Sequence, residues 1–224
     1  MLLARWFKHT LHFKNPAGTS RGVLKNKDSW FLVLEDLTKP GNRGIGECGL
    51  LKGLSYDDRP GYEKKLNELC ENINEPGISE TTSGWPSIKF GMEMAMRDLT
   101  TPEPMVLYPS PFTRSEKAMS INGLIWMGEK DFMFQQIEQK LQQGFKCIKM
   151  KIGAIDWEEE LALLKYIRKK FPAHQVELRV DANGAFSPQE APGILEKLAR
   201  LRIHSIEQPL APGQWQEMKT LCQN

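Results

Sequence analysis

Three short segments in the second half of the sequence alternate apolar and polar residues, and each ends in a charged side chain. The charged residues are Lys151, Asp181 and Glu207, which are 30 and 26 residues apart. Such intervals fit a strand, a crossover helix and the return to a parallel neighbouring strand. Because side chains alternate between the two faces of a strand, the three charged residues are expected to project together from one edge of a sheet.

Helical patterns separate these segments and extend the same rhythm over about half of the chain. The predicted strands are 118–122, 146–152, 176–181 and 203–207, and the predicted helices are 131–143, 156–170, 187–201 and one from about 214. Four such units are half of an eight-stranded α/β barrel, which alone needs about 250 residues. Either the sheet is open and four-stranded or the sequence stops partway through a barrel, and we favour the second interpretation.

The first half of the sequence has a different order. Its predicted strands come first, at 2–13 and 29–34, and its predicted helices follow, at 62–73 and 87–99. Strands and helices in separate blocks are typical of an α+β domain. A proline-rich stretch then separates the two halves. We therefore expect an α+β domain at residues 1–112 and the first half of a barrel domain at residues 113–224.

Composition excludes several classes of function. Basic and acidic residues are mixed along the chain and give a formal net charge of +2, which argues against a nucleic-acid partner. No apolar run approaches the roughly 18 residues of a membrane span. The four cysteines are far apart, and the first residues are too often charged for a signal peptide. We expect a soluble cytoplasmic protein with reduced thiols.

Lys149 and Lys151 share one face of the second predicted barrel strand. We expect burial and mutual repulsion to disfavour their ammonium forms, which would let one of them act as a general base near neutral pH. The alternative is an exposed edge strand with solvated lysines.

Asp181 and Glu207 end the third and fourth predicted barrel strands. Two carboxylates at one rim are a hard-oxygen site suited to Mg²⁺, beside which a lysine can remove a proton next to a substrate carboxylate. In the alternative interpretation, Asp181 and Asn183 cap the turn before Gly184, and Glu207 accepts a hydrogen bond from a nearby backbone amide.

These segments resemble the KxK, DxN and ExP signatures of the enolase superfamily, at 149–151, 181–183 and 207–209. The resemblance implies that Lys151 is the acid/base, that Lys149 tunes its neighbour's charge, and that Asp181 and Glu207 hold Mg²⁺. It also implies a third metal carboxylate and a facing lysine at positions beyond residue 224. The implied fold is an enolase-type α/β barrel whose N-terminal α+β domain caps the barrel mouth.

The first half is similar to the o-succinylbenzoate synthases of that superfamily. The similar segments are 19–22, 46–55, 86–93 and 121–126. The likeness implies that a loop with Ser20 and Arg21 and a second loop with Leu50 and Leu51 line the substrate pocket, together with Asn183. Arg21 would contact a substrate carboxylate, and the leucines would cover its ring. The alternatives are a solvated loop arginine and leucines that pack within the domain.

The reaction implied by the resemblance is the Mg²⁺-dependent loss of water from 2-succinyl-6-hydroxy-2,4-cyclohexadiene-1-carboxylate, which gives 2-succinylbenzoate in menaquinone biosynthesis. The expected partner is this small-molecule carboxylate, and the oligomeric state stays open. Dipeptide epimerases, N-acylamino acid racemases and muconate cycloisomerases share the same barrel motifs and are the first alternative. A non-catalytic barrel fragment is the second.

Overall fold

The computed structural model describes residues 1–19 and 22–223. The chain divides into two units, Met1–Ala118 and Met119–Asn224. The boundary predicted after residue 112 lies shortly before this division. Ser20 and Arg21 fall outside the described residues, so their substrate contacts stay predictions.

The first unit begins with an antiparallel sheet of three consecutive strands. These are β1 (Leu2–Thr19), β2 (Gly22–Asp36) and β3 (Arg43–Cys48). β1 and β2 extend beyond their predicted ends because pairing resumes after an irregularity, with Ala17 opposite Leu24. β3 was not predicted, since its two glycines lower β propensity. It pairs with β2 along its whole length, from Arg43 opposite Glu35 to Cys48 opposite Trp30.

Two helices cover one face of this sheet. They are α1 (Tyr62–Glu71) and α2 (Pro86–Thr100), separated by a short 3₁₀ turn at Glu80–Thr82. Ile88 and Ala95 on α2 are fully buried, as the apolar spacing predicts. The buried Asp57 carboxylate accepts hydrogen bonds from the backbone N–H and the hydroxyl of Ser87, and so satisfies a free donor at the start of α2.

β3 and α2 approach each other through glycines. A Cβ atom added at Gly46 would overlap the carbonyl oxygen of Gly91, and one added at Gly44 would overlap the carbonyl oxygen of Ala95. A Cβ atom at Gly91 would in turn overlap the sulfur of Cys48. Backbone therefore packs directly against backbone at this contact.

The second unit alternates strands and helices, as predicted. The strands are β4 (Gly123–Ile125), β5 (Cys147–Lys151), β6 (Glu177–Asp181) and β7 (Ser205–Glu207), and the helices are α3 (Lys130–Gln142), α4 (Trp157–Lys170), α5 (Ala191–Arg200) and α6 (Trp215–Gln223). The strands form one parallel sheet in the order β4–β5–β6–β7. This is the arrangement of consecutive units in an α/β barrel.

Two predicted boundaries in this unit are wrong. The strand expected at 118–122 is instead β4, because Gly123–Ile125 pairs with β5 and buries Ile125, whereas Ile121 is 72% exposed. The helix expected from residue 187 begins at Ala191. Ser187 donates its backbone N–H and hydroxyl hydrogen bonds to the Glu190 carboxylate, which holds the preceding residues in a turn.

One face of the parallel sheet is apolar and packs into the core. Ile148, Met150, Leu178 and Val180 are at most 1% exposed. The intervening residues of β5 and β6 point to the opposite face, where the lysines and Asp181 lie. The predicted alternation is therefore confirmed.

The start of α4 also follows its prediction. The Asp156 carboxylate accepts hydrogen bonds from the N–H groups of Glu158 and Glu159, which is an N-cap. All four cysteines are free thiols. None of the described helices combines the length and apolar character needed to cross a membrane.

Candidate active site

Three charged residues meet at the C-terminal edge of the parallel sheet. Lys151 is paired with Asp181 across β5 and β6, and Asp181 is paired with Glu207 across β6 and β7. The intervals of 30 and 26 residues thus place these three residues side by side on adjacent strands. Catalytic groups of barrel enzymes lie at this edge.

Lys151 is bound by two side chains of the neighbouring strand end. Its Nζ lies 3.2 Å from Oδ2 of Asp181 and 2.7 Å from Oδ1 of Asn183. The lysine side chain is 19% exposed, so it is only partly buried among the described residues. Both contacts place a cation between a carboxylate and an amide oxygen.

Asn183 is held in a conformation that turns its amide toward the lysine. Its φ of 48° is in the left-handed region, which asparagine tolerates better than most residues. Its backbone N–H donates to Oδ1 of Asp181 at 3.1 Å. Asp181 therefore contacts Asn183 through one oxygen and the lysines through the other.

Lys149 is paired with both carboxylates. Its Nζ forms an ion pair with Glu207 and lies 3.5 Å from Oδ2 of Asp181. The hydrogen bond to Glu207 is the main reason that the pKa of Lys149 is raised, and the charge of Asp181 adds to it. The predicted lowering of this pKa is therefore wrong, because two carboxylates outweigh the effect of partial burial.

The two carboxylates differ strongly in exposure. The Asp181 side chain is 4% exposed and the Glu207 side chain is 59% exposed. Adjacent carboxylates, one fixed and one open to solvent, are an oxygen donor set that fits Mg²⁺, which often uses one or two protein carboxylates and keeps several waters. Within residues 1–19 and 22–223, no group of three acidic, histidine or cysteine side chains is arranged to hold a metal.

The second predicted substrate loop lies in the first unit. Leu50 is 6% exposed and belongs to the core of that unit, whereas Leu51 is half-buried. Both residues line a cavity of about 430 Å³ together with Trp30 and Tyr62. Their substrate contacts stay predictions.

Trp126 is near the site, although the charged strand-end motifs do not include it. The residue is 40% exposed, and its ring centre lies 6.0 Å from Nζ of Lys151. The side-chain amide of Gln136 accepts from the backbone N–H of Trp126 and donates to its carbonyl oxygen. The position of Trp126 in the sequence could have indicated this, since Trp126 directly follows β4 and Lys151 is the last residue of β5.

Comparisons with known proteins show which family the chain resembles. A family model described as "Enolase C-terminal domain-like" matches residues 133–224. The o-succinylbenzoate synthase of Desulfotalea psychrophila is 42% identical over 96% of this chain, which spans 66% of that protein. The crystal structure of MenC from Desulfotalea psychrophila LSv54 has a TM-score of 0.83 at 36% identity, and the match covers 100% of this chain and 68% of that one.

A second solved structure is the o-succinylbenzoate synthase from Thermosynechococcus elongatus BP-1, complexed with Mg in the active site. Its TM-score is 0.77 at 27% identity, with 99% of this chain and 66% of that chain covered. The hydrophobic dipeptide epimerase of Roseobacter litoralis is 24% identical over 92% of this chain. The chain spans about two thirds of the length of the curated o-succinylbenzoate synthases that it matches. By these similarities, the chain belongs to the o-succinylbenzoate synthase family of the enolase superfamily.

Proposed function

We propose that the protein is a Mg²⁺-dependent dehydratase that converts 2-succinyl-6-hydroxy-2,4-cyclohexadiene-1-carboxylate into 2-succinylbenzoate. The observation that carries the proposal is the alignment of Lys151, Asp181 and Glu207 at one level of three adjacent strands. It supports the proposal because a lysine then lies beside two carboxylates that could bind a metal ion. The family of the chain supports the choice of substrate.

Asp181 and Glu207 would hold the metal ion. When bound, Mg²⁺ supplies positive charge that stabilises negative charge developing on a substrate carboxylate. Asp181 is suited to a fixed ligand because it is buried and its backbone carbonyl accepts from Ile152 at 2.9 Å. Glu207 is the more adjustable ligand, since most of its side chain is exposed.

Lys151 would carry the proton in both halves of the reaction. It takes the proton from the ring carbon next to the carboxylate, and the electron pair of that C–H bond forms a new ring double bond. It then gives a proton to the departing hydroxyl, which leaves as water. The hydrogen bond to Asn183 would hold the lysine toward the substrate between these steps.

Lys149 would contribute an ammonium group, which in this structure is paired with both carboxylates. Its positive charge would lie beside the acid/base lysine on the same strand face. Ser20, Arg21, Leu50 and Leu51 would contact the succinyl chain and the ring. Free thiols at all four cysteines support the expected cytoplasmic location.

The test is turnover of the cyclohexadiene carboxylate by the native-length protein, with Mg²⁺ and with EDTA. We expect 2-succinylbenzoate to form with Mg²⁺ and to stop forming when EDTA removes the ion. A folded protein without turnover would contradict the proposed substrate. In that case, entry of solvent deuterium at the α-carbon of a dipeptide would indicate an epimerase instead.

A further inference from the structure

A buried glutamate lies behind the loop that follows Lys151. Glu160, in the first turn of α4, is 0% exposed, although the neighbouring side chains of Glu158 and Glu159 are 63% and 45% exposed. A buried carboxylate is stable only if hydrogen-bond donors replace the water that it loses. At Glu160 these donors belong to one short stretch of backbone.

Three consecutive N–H groups donate to the Glu160 carboxylate. The N–H of Gly153 lies 2.8 Å from each of the two oxygens, and those of Ala154 and Ile155 lie 3.1 Å and 3.4 Å from Oε1. One side chain therefore fixes three successive residues of the loop between β5 and α4. This stretch starts two residues after Lys151.

The same loop packs tightly against the loop that carries Asn183. Gly153 has a φ of 88°, and a Cβ atom added there would overlap the side chain of Ala185. Asn183 accepts the 2.7 Å hydrogen bond from Lys151. The distance between the two loops thus determines where the amide oxygen lies relative to the lysine ammonium group.

We propose that Glu160 is a positioning residue, which keeps Lys151 in place against Asp181 and Asn183 by fixing the backbone at residues 153–155. The inference rests on the proposed acid/base role of Lys151. Glu160 acts through the loop and is separate from the proton transfer itself. Its effect is therefore on the rate of the chemical step in folded molecules.

The test compares the native-length wild-type protein with Glu160→Gln and with Glu159→Gln as the matched control. Glutamine has nearly the same size as glutamate. Its NH₂ group, however, would replace one of the two oxygens that accept hydrogen bonds from the backbone N–H of Gly153. The measured quantity is the single-turnover rate constant with enzyme in saturating excess over the cyclohexadiene carboxylate. This constant reports on folded molecules alone, so a smaller folded fraction does not change it.

We expect Glu160→Gln to lower the single-turnover rate constant about 10- to 100-fold, as for other residues that orient active groups. Glu159→Gln should stay within about twofold of wild type, because it removes only an exposed ion pair. Equal rate constants for the two variants would overturn the proposal.

A second variant covers the case in which Glu160→Gln does not fold. Glu160→Asp keeps the charge and shortens the side chain by one methylene, so we expect an intermediate loss. A wild-type rate constant for Glu160→Asp would also overturn the proposal.

A measurement without substrate separates this inference from the proposed function. Amide hydrogen exchange at residues 153–155 should be faster in Glu160→Gln than in the wild type. Acylation of Lys151 by an amine-reactive reagent should also be faster. If the wild type does not convert the cyclohexadiene carboxylate, the dehydratase proposal fails, and these two changes would still support the positioning role. Unchanged exchange and acylation would overturn the positioning role, whatever the turnover.

Discussion

Lys151 and Asp181 occupy opposite positions in the parallel pairing of β5 and β6, and the lysine Nζ lies 3.2 Å from the aspartate Oδ2. The lysine is therefore held by the strand that supplies the buried carboxylate. The proposed proton-transfer group and the proposed metal ligand therefore share one pair of strands, so a shift of β5 against β6 would change the distance between them.

Replacing Lys151 by methionine should remove turnover while leaving the fold intact. Methionine fills similar space and takes away the group proposed to move the proton, so we expect kcat to fall by about 100- to 10,000-fold. The measurement is steady-state turnover of the cyclohexadiene carboxylate. Lys146→Met is the control, since Lys146 is exposed just before β5. Similar activity in both variants would contradict the proposed role of Lys151.

Replacing Asp181 by asparagine should weaken Mg²⁺ binding. The change keeps the shape of the side chain and removes a charged oxygen, so we expect an affinity loss of at least about 10- to 100-fold. Titration calorimetry on the native-length protein measures this loss. Asp156→Asn is the matched control, because asparagine is an equally good N-cap for α4. Equal Mg²⁺ affinity in the two variants would place the metal elsewhere.

The Cys48 thiol should be unreactive in the folded protein. It is 0% exposed, and burial raises its pKa to about 12, so little thiolate is present at neutral pH. Labelling with a thiol reagent followed by peptide mass spectrometry should modify the exposed Cys222 first and Cys48 only on unfolding. Equally fast labelling of both thiols in native protein would contradict the burial of Cys48.

The same thiol should make the protein less stable at alkaline pH. Between its ordinary value of 9.0 and about 12, the unfolded chain has lost this proton and the folded chain keeps it. The unfolded state then binds fewer protons, so the free energy of unfolding falls as pH rises. From pH 8 to pH 10, the free energy of unfolding measured with denaturant should fall less steeply in Cys48→Ala than in the wild type, and equal slopes would contradict the prediction.

Gly46→Ala should strongly destabilise the first unit. Its new methyl group would meet the backbone of α2 at Gly91, which cannot rotate away as a side chain would. We expect a loss of at least about 3 kcal/mol, at the upper end of overpacking costs. Gly49→Ala is the control, because its nearest neighbour would be the flexible Lys27 Nζ at 3.7 Å. Chemical denaturation of both variants gives the comparison, and equal midpoints would contradict the close contact.

Arg168→Met should destabilise the second unit. The guanidinium donates to the carbonyl oxygens of Leu201, Val176 and Arg202 at 2.6, 2.6 and 2.9 Å. Removing it leaves three carbonyls without this donor, and we expect a cost of about 3 kcal/mol in the free energy of unfolding. The exposed neighbour Lys169 provides the control, since Lys169→Met should change stability by less than about 0.5 kcal/mol.

The alternation of side chains made the lysine face of β5 predictable. In Cys147–Lys151 a period of two leaves only two choices of face, and the apolar Ile148 and Met150 decide between them. The intervals between strand ends then predict the level at which Lys151 and its partners meet. Local pattern and regular topology were sufficient for this part of the site.

Glu160 could not be found in the same way. It ends a run of three glutamates at the start of α4, where acidic residues are favoured by the helix dipole and are usually solvated. Only the path of residues 153–155 shows that this one side chain is turned inward. The direction of the pKa shift of Lys149 was predicted wrongly for a related reason. That direction depends on the position of Glu207, a residue distant in sequence.

The glycine contact between β3 and α2 has a consequence for how this chain can change during evolution. Gly46 and Gly91 leave no space for a methyl group between strand and helix, so a side chain at either position requires the helix to move outward as a whole. Such a shift would open gaps around Ile88 and Ala95, which are fully buried. A single substitution at either glycine is therefore strongly disfavoured. We expect substitutions in this part of the sequence to accumulate at the neighbouring positions instead.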